Sequence, residues 1–208
     1  AYNSRRLLKA KKQLQNQNQE LKILYEQIYS SEEELKQIVY FDALTGLPNR
    51  IALKNDIELF TKSFKNESAA LIIMDIDNFK YINDTLGHHF GDELLIKIGN
   101  VFLNLSPENI RVYRIGGDEF AFWIRDTNDK VESIAYDIMD CVVEPVYINK
   151  TRIQTTISMG IAIYPFAGAD VEQLLKNADI AMYEAKHQGK ERFIFFDDVM
   201  NHKMIEKT

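Results

Sequence analysis

The sequence predicts a mixed α/β (α+β) fold, in which helices surround one central sheet and a long helix precedes it. Strand-like apolar runs alternate with helical patterns from residue 42 to about residue 197, as expected of a sheet covered by helices. The run from Phe120 to Ile124 is apolar at every position, which is typical of a strand buried on both faces. The first 40 residues lack Gly and Pro and repeat an aliphatic residue every seven positions, which indicates a long helix.

The N-terminal segment, residues 1–41, has the heptad pattern of a two-stranded coiled coil. Its apolar stripe is narrow, which favours pairing of two chains over the alternative of one amphipathic helix folded back on its own domain. We therefore predict a coiled-coil signalling helix at 1–41, a globular domain at 42–200 and a tail at 201–208. The heptad series is Leu7, Leu14, Leu21, Ile28 and Leu35, with Ala10, Leu24 and Ile38 three positions after members of it.

Within the globular part, the spacing of apolar residues separates helices from strands. Helical spacing predicts helices over 50–64, 78–84, 92–102, 131–142 and 171–185, the last with Asp170 as its N-cap. Apolar runs predict strands at 69–75, 112–113, 121–124, 146–148, 152–164 and 193–196.

Composition narrows the classes of function and of environment. The formal net charge of −6 argues against general nucleic-acid binding, which needs a basic face. The one cysteine, Cys141, lies in an apolar helical pattern, so we expect it in the core of a protein from a reducing cytoplasm. No apolar run is long enough to span a membrane. Since the chain begins at Ala1, we expect a cytoplasmic domain whose upstream sensor is missing, with membrane anchoring only through such an upstream segment.

The sequence from Arg114 to Phe120 organises the domain. Gly116 and Gly117 lie between strand-like runs and predict a tight hairpin, and glycine lets a ligand approach the backbone closely. Asp118 and Glu119 follow directly, although a lone Gly-Gly-Asp would ordinarily be only a turn. The apolar run that starts at Leu71 also ends in acids, Asp75 and Asp77. If the strand end and the hairpin meet, Asp75 and Asp118 form a hard-oxygen site suited to Mg²⁺ carrying substrate phosphates.

Six short segments of the globular part form an ordered set: Asp42 to Arg50, Asp75 to Lys80, Asn83 to His88, Gly91 to Glu93, Gly116 to Phe120 and Ala185 to Lys190. Each segment is modest alone, but their order and spacing together are highly specific. With them, residues 42 to about 197 resemble a GGDEF diguanylate cyclase domain. The resemblance implies a nucleotidyl-cyclase-like fold with a central mixed sheet, and condensation of two GTP into cyclic di-GMP and two pyrophosphates with Mg²⁺, or Mn²⁺ as an alternative.

The resemblance also implies roles for single residues. Asp75, Asp118 and the backbone carbonyl of Ile76 match the metal ligands. Asp118 also matches the position proposed as general base, and Lys80 matches a lysine that stabilises the transition state; we expect Asp118 to act as a ligand before it acts as a base. The positions that match substrate contacts are Phe79, Asn83, His88, Asp92, Gly116, Gly117, Lys186 and Lys190, with Glu119 and Arg114 as supporting residues.

In this interpretation, Asp92 determines which nucleobase the site binds. A carboxylate can accept from both N1–H and the 2-amino group of guanine, and adenine offers neither donor, so we expect GTP to be preferred over ATP. Taken alone, Asp92 would be a cap for the helix predicted to begin there, and Asn83 would be the end of the short helix before it. The ordered set of motifs favours guanine contacts for both.

The sequence departs from one common pattern of the family. Many members carry an Arg-x-x-Asp product-inhibition site, with Arg nine and Asp six residues before the first glycine of the signature. Here those positions are Pro107 and Ile110, so the guanidinium that would hold the product is absent. We therefore predict no feedback inhibition at this site.

The product contains two GTP-derived halves, so the resemblance implies that two active-site faces meet in a homodimer, paired through the N-terminal helix. A second hypothesis is a catalytically silent module that binds GTP or a cyclic dinucleotide. A third is a dimerisation element that only transmits signals. A related enzyme that makes a mixed GMP–AMP product is disfavoured by Asp92.

Overall fold

The computed structural model describes residues 2–64, 67–105, 107–127 and 130–200, with side chains from Lys11 onward except that of Leu105. It divides into two compact units, the N-terminal helix up to Val39 and the remainder from Tyr40. The predicted tail at 201–208 lies outside the described residues, as do the side chains of Leu7 and Ala10. Among the described helices, none is long and apolar enough to cross a membrane.

The first unit is one uninterrupted helix, α1, from Tyr2 to Tyr40. The prediction of a long helix is thereby confirmed. Its described heptad residues are all exposed in the single chain, between 48% for Ile28 and 77% for Ile38. A stripe of exposed aliphatic side chains is what a helix offers to a partner helix, and the coiled coil itself stays a prediction. The other exposed members are Leu14, Leu21, Leu24 and Leu35.

The second unit is built on a five-stranded mixed sheet, which confirms the predicted fold class. Its strand order is β2-β3-β1-β6-β7, with β1 in the centre and antiparallel to both neighbours, while β6 and β7 are parallel. The strands of this sheet are β1 (Ala69–Ile76), β2 (Ile110–Gly116), β3 (Glu119–Arg125), β6 (Ile157–Tyr164) and β7 (Arg192–Phe195). A separate hairpin is formed by β4 (Val146–Ile148) and β5 (Thr151–Ile153).

Helices cover both faces of the sheet, since its central strand is buried at every position. Successive residues of a strand point to opposite faces, and accordingly Ile72 and Met74 belong to one core cluster and Leu71 and Ile73 to the other. The helices of this unit are α2 (Arg50–Ser63), α3 (Phe79–Leu86), α4 (His88–Leu105), α5 (Val131–Val143) and α6 (Val171–His187).

Three details differ from the sequence-based expectation. Phe64 follows the end of α2 and is 45% exposed, so it is not part of the buried helix face. Helix α4 begins at His88 rather than near Asp92, directly after Gly87 ends α3 with φ 93°. The strand predicted over 152–164 is divided into β5 and β6, because its first part pairs with β4 in the separate hairpin and its second part pairs with β1 in the main sheet.

Candidate active site

The site lies where the central strand ends beside the hairpin between β2 and β3. Asp75, next to last in β1, is opposite Glu119 of β3 on one side and Ser158 of β6 on the other. Side chains of directly opposed residues in an antiparallel pair share one face of the sheet, with Cβ atoms about 5 Å apart. The strand end and the hairpin therefore meet as predicted, and Asp75 is only 8% exposed.

The hairpin depends on its two glycines. Gly116 has φ 152° and Gly117 has φ 50°, values that residues other than glycine rarely adopt. The pairing of β2 with β3 also shifts register between Arg114 and Gly116. The turn is tied to the central strand, because the backbone N–H of Ile76 donates to the carbonyl of Asp118 at 3.4 Å. The acidic turn is thus held next to the acidic strand end.

Arg114 stabilises the hairpin through hydrogen bonds from its guanidinium. Its guanidinium donates to Asp42 Oδ1 at 2.8 Å and to the carbonyl of Gly117 at 2.7 and 3.2 Å, and only 10% of the side chain is exposed. Thr45 donates to the same Asp42 oxygen through its backbone N–H and its hydroxyl. Burial works to raise the pKa of Asp42, but the hydrogen bonds from Thr45 and Arg114 outweigh it and lower the pKa. Arg114 is therefore a positioning residue that fixes Gly117 to the loop before α2.

Lys186, in the last turn of α6, reaches the acidic strand end. Its ammonium lies 2.7 Å from Asp75 Oδ2. Burial raises the pKa of Asp75, and Asp118 and Asp77 add to this effect, while Lys186 opposes it. Burial likewise raises the pKa of Glu119, with further contributions from Asp179, Asp75 and Asp118. The site thus gathers more negative charge than the one lysine compensates, as expected of a place that receives a cation.

Two further lysines stand on the rim of this site. Lys190 follows α6 and donates to Asn78 Oδ1 at 2.7 Å, which joins the end of α6 to the start of α3. Asn78 itself has φ 61°, a left-handed conformation that asparagine tolerates better than most residues. Lys80, in the first turn of α3, is exposed. All three predicted phosphate-binding lysines therefore flank the acidic strand end or the helix that leaves it.

Asn83 and Gly91 form a second part of the site, between α3 and α4. Asn83 Oδ1 is buried and has no hydrogen-bond partner in the described part of the chain. A methyl group on Gly91 would overlap this oxygen and press on the ring of Phe79, so glycine at 91 is what leaves room for the amide. Phe79, whose ring lies beside Gly91, is 8% exposed. An unpaired buried acceptor is costly unless a ligand supplies its donor.

Asp92 and His88 lie on the exposed side of the same helix. Because α4 starts at His88, Asp92 lies inside the helix and not at its N-cap, so the alternative role as a cap is wrong. Asn83 likewise lies inside α3, whose final N–H, from Gly87, bonds to the backbone carbonyl of Asn83 and not to its side chain. Both polar side chains therefore remain available for a ligand.

The predicted donor set has the chemistry that suits a small hard cation. The carboxylates of Asp75 and Asp118 and the backbone carbonyl of Ile76 are all oxygen groups of the kind that Mg²⁺ prefers. No group of three acidic, His or Cys side chains within the described ranges is placed to hold a metal together. Two carboxylates leave coordination positions for substrate phosphates, which is how Mg²⁺ is usually held in nucleotide sites.

Comparison with known proteins decides the family. The model of the family described as "Diguanylate cyclase, GGDEF domain" matches residues 39–192, most of the chain. The chain belongs to the GGDEF diguanylate cyclase family.

Relatives of this GGDEF domain differ in the activity for which they are named. It is 34% identical over 177 residues to the cyclic di-GMP phosphodiesterase PdeR of Escherichia coli, a match that covers 85% of this chain and 27% of PdeR. It is 36% identical over 165 residues to the diguanylate cyclase DgcN of Escherichia coli, covering 77% of this chain and 40% of DgcN. The chain therefore spans well under half the length of these relatives.

The GGDEF domain of TpbB, also called YfiN, from Pseudomonas aeruginosa has the same fold. Its crystal structure superimposes with a TM-score of 0.74 at 31% identity, covering 81% of this chain and 99% of that one.

The product-inhibition positions of this GGDEF domain line an apolar cavity. Pro107 and Ile110 border a space of about 300 Å³ together with Phe122, Ile134 and Ile138, and the acids at its edge are Asp137 and Asp140. A cavity lined in this way offers an anionic dinucleotide no cation among these residues. The absence of feedback inhibition at this site stays a prediction.

Sequence reasoning gave Asp77 no role, yet it anchors the active-site end of this GGDEF domain. The carboxylate is 3% exposed and accepts from Thr156 Oγ1 at 2.6 Å, from Ser158 Oγ at 2.8 Å and from the backbone N–H of Glu191 at 3.2 Å. Asp77 thus ties the end of β1 to β6 and to the segment after α6 that carries Lys190. Its position two residues after Asp75 was the only signal, and the partners are too far away in sequence for any local pattern to show them.

Proposed function

We propose that this protein is a diguanylate cyclase, which condenses two GTP into cyclic di-GMP and two pyrophosphates where two such domains meet. The observation that carries the proposal is the juxtaposition at the end of β1. Two acids, Asp75 and Asp118, are held together by the Ile76–Asp118 backbone bond, with Lys186 at 2.7 Å from Asp75. Oxygen ligands for a divalent cation next to a cation for phosphate are the parts that phosphoryl transfer requires.

Asp75, Asp118 and the Ile76 carbonyl would hold Mg²⁺, or Mn²⁺ in its place. The ion would supply Lewis-acid stabilisation of phosphate charge and lower the pKa of the attacking 3′-hydroxyl. Asp118 serves as a ligand in this scheme, since a metal-bound carboxylate is a weak base. Glu119, whose pKa is raised by burial and by its acidic neighbours, stands beside it as a supporting group.

The lysines compensate the charge that the triphosphate brings. In this proposal Lys186 and Lys190 neutralise the phosphates that leave as pyrophosphate, and their positions in the last turn of α6 and just after it support this role. Lys80 on α3 is exposed toward solvent, where it can stabilise the α-phosphate during transfer. Gly116 and Gly117 let the nucleotide lie close to the hairpin backbone.

The guanine site is formed between α3 and α4. The unpartnered Asn83 Oδ1 can accept from a guanine N–H, and Asp92 can accept from N1–H and the 2-amino group. Adenine lacks both of these donors, so its binding would leave the acceptors unpaired. His88, at the first residue of α4, would contact the same nucleotide.

Dimerisation brings the two GTP molecules together in this proposal. The exposed aliphatic stripe of α1 pairs two chains and orients the globular domains so that their active-site faces meet. In the proposed arrangement, a sensor upstream of α1 controls the activity, and the globular domain works in the cytoplasm, anchored to a membrane only through such an upstream part.

A catalytically silent GTP- or cyclic-dinucleotide-binding module is the second candidate. Two observations favour it: the relative PdeR is named as a phosphodiesterase, and Asp75 is already paired with Lys186. The presence of both acids and all three lysines favours the enzyme, because a binding-only module could lose some of them.

The test is identification of the product by mass spectrometry after incubation with GTP or ATP and Mg²⁺, with Asp118→Asn as the matched control. We expect cyclic di-GMP from GTP with the wild type only, and no cyclic dinucleotide from ATP. Mg²⁺-dependent GTP binding without product, even when dimerisation is forced through α1, would instead establish the silent module.

A further inference from the structure

Lys186 and Asp75 form a close ion pair at the place where the proposed metal would bind. The ammonium lies 2.7 Å from Oδ2, and 31% of the lysine side chain and 12% of the aspartate side chain are exposed. Removing a carboxylate from water is expensive unless a cation accompanies it. Lys186 supplies that positive charge.

The surroundings make the carboxylate dependent on a cation. Glu119 lies directly opposite Asp75 on β3, and Asp118 and Asp77 also act on it electrostatically. Asp77 has its own donors from Thr156 and Ser158 and needs no further partner. The buried carboxylate of Asp75 is therefore surrounded by other carboxylates, and loss of the Lys186 ammonium beside it would be strongly unfavourable.

A lysine ammonium and a divalent cation compete for such a carboxylate. Mg²⁺ requires oxygen ligands at about 2.1 Å in near-octahedral geometry, and an ammonium hydrogen-bonded to the same group occupies one of the directions it needs. If the ion used the other carboxylate oxygen, the two positive charges would still lie within a few ångströms and repel each other. The lysine must move away before the ion can bind well.

The phosphate oxygens of the bound triphosphate would be the new partners of the Lys186 ammonium. Lys186 lies in the last turn of α6, its four-carbon stem is flexible, and the left-handed residues Gly189 and Lys190 follow it. If the Lys186 ammonium leaves Asp75 as phosphate oxygens bind, it is paired with a negative charge both before and after the move.

We propose that Lys186 is a built-in substitute cation, which neutralises Asp75 whenever no metal is bound and transfers to the phosphates when the nucleotide brings its metal. This inference rests on the proposed function for the identity of the ligands. It adds that metal and nucleotide bind interdependently: the free divalent ion binds poorly because Lys186 holds its place.

Lys190 provides a matched control. It is also a lysine at the C-terminal end of α6 and is predicted to contact the same triphosphate, but its partner is the neutral amide oxygen of Asn78 at 2.7 Å. Its removal should weaken nucleotide binding without freeing a metal ligand.

The experiment measures Mn²⁺ binding by the loss of the free-ion EPR signal, without nucleotide, for the wild type, Lys186→Met and Lys190→Met. We expect Lys186→Met to bind Mn²⁺ about tenfold more tightly than the wild type, equivalent to about 1.4 kcal/mol, and Lys190→Met to match the wild type. Adding Asp75→Asn to Lys186→Met should abolish the gain. Both single variants should bind a non-hydrolysable GTP analogue more weakly.

Thermal unfolding provides a second measurement that separates this inference from a purely structural ion pair. Lys186→Met should melt at a lower temperature than the wild type, and Mn²⁺ at a concentration below the wild-type dissociation constant should raise the melting temperature of Lys186→Met more than that of the wild type. Equal or weaker Mn²⁺ affinity in Lys186→Met, or a gain that persists with Asp75→Asn, would overturn the proposal. Neither measurement involves turnover, so a protein without cyclase activity would refute the proposed function and leave this inference to be judged separately.

Discussion

The strongest stability prediction concerns the brace formed by Arg114. Replacing Arg114 with methionine removes a guanidinium that is 10% exposed and donates to Asp42 and twice to the carbonyl of Gly117. Hydrogen bonds from a charged group are worth about 1.5–3 kcal/mol, and Asp42 keeps its bonds from Thr45. We therefore expect the free energy of unfolding to fall by about 2–3 kcal/mol, which lowers the melting temperature by about 4–12 °C in a domain of this size.

Arg111 is the matched control for this prediction. It also pairs with an aspartate at 2.7 Å, Asp56, but 51% of its side chain is exposed. Exposed ion pairs contribute about 0–1 kcal/mol, so Arg111→Met should cost less than 1 kcal/mol by the same rule. Urea denaturation of both variants measures the difference. Equal losses for the two arginines, or a loss below about 0.5 kcal/mol for Arg114→Met, would refute the reasoning, because an effect that small is typical of exposed pairs.

The pH dependence of the Arg114 effect has a definite sign. The pKa of Asp42 is lowered from 3.8 in the folded state, so the pair contributes fully above that value and its contribution is lost as the pH falls through the lower folded pKa. The stability difference between wild type and Arg114→Met should therefore be constant from pH 5 to 7 and shrink below about pH 4. A difference that grows toward acid pH would contradict this assignment.

Three further predictions concern glycines and the product. Gly91→Ala should raise the KM for GTP with little loss of stability, because the new methyl group displaces the flexible Asn83 amide; unchanged GTP kinetics would contradict this. Gly160→Ala should lower the free energy of unfolding by about 1–3 kcal/mol, since its methyl group would overlap the backbone of α6 at Ala178 and Met182; thermal unfolding measures it. Cyclic di-GMP should not inhibit turnover through Pro107 and Ile110, and strong inhibition lost on mutating residues 105–111 would contradict this.

The parts of the fold that could be predicted are those set by local chemistry. Gly116 and Gly117 between two apolar runs can form little other than a hairpin, and the apolar run from Ala69 predicts the central strand β1. Asp170 begins α6 as a cap because its carboxylate accepts from the N–H of Gln173.

The parts that could not be predicted depend on contacts between distant segments. The sequence predicts that α4 starts near Asp92, because glycine normally disfavours a helix interior. The helix in fact starts at His88 and includes Gly91, where the lack of a side chain leaves room for Asn83. The break before β6 lies where the chain passes from the β4–β5 hairpin to the main sheet, and no local pattern shows with which strand each part pairs. The pairing of Lys186 with Asp75 likewise joins the end of α6 to the end of β1. The sequence patterns that predict this helix and this strand do not show that their ends meet.

The rate of cyclic di-GMP formation as a function of protein concentration tests the central claim most directly. It is measured with saturating GTP and Mg²⁺, for the wild type and for Asp118→Asn at each concentration. The account predicts product from the wild type alone, with a specific activity that rises with concentration as the domains pair. Absence of product at every concentration, or a specific activity independent of concentration in a chain shown to be monomeric, would contradict it.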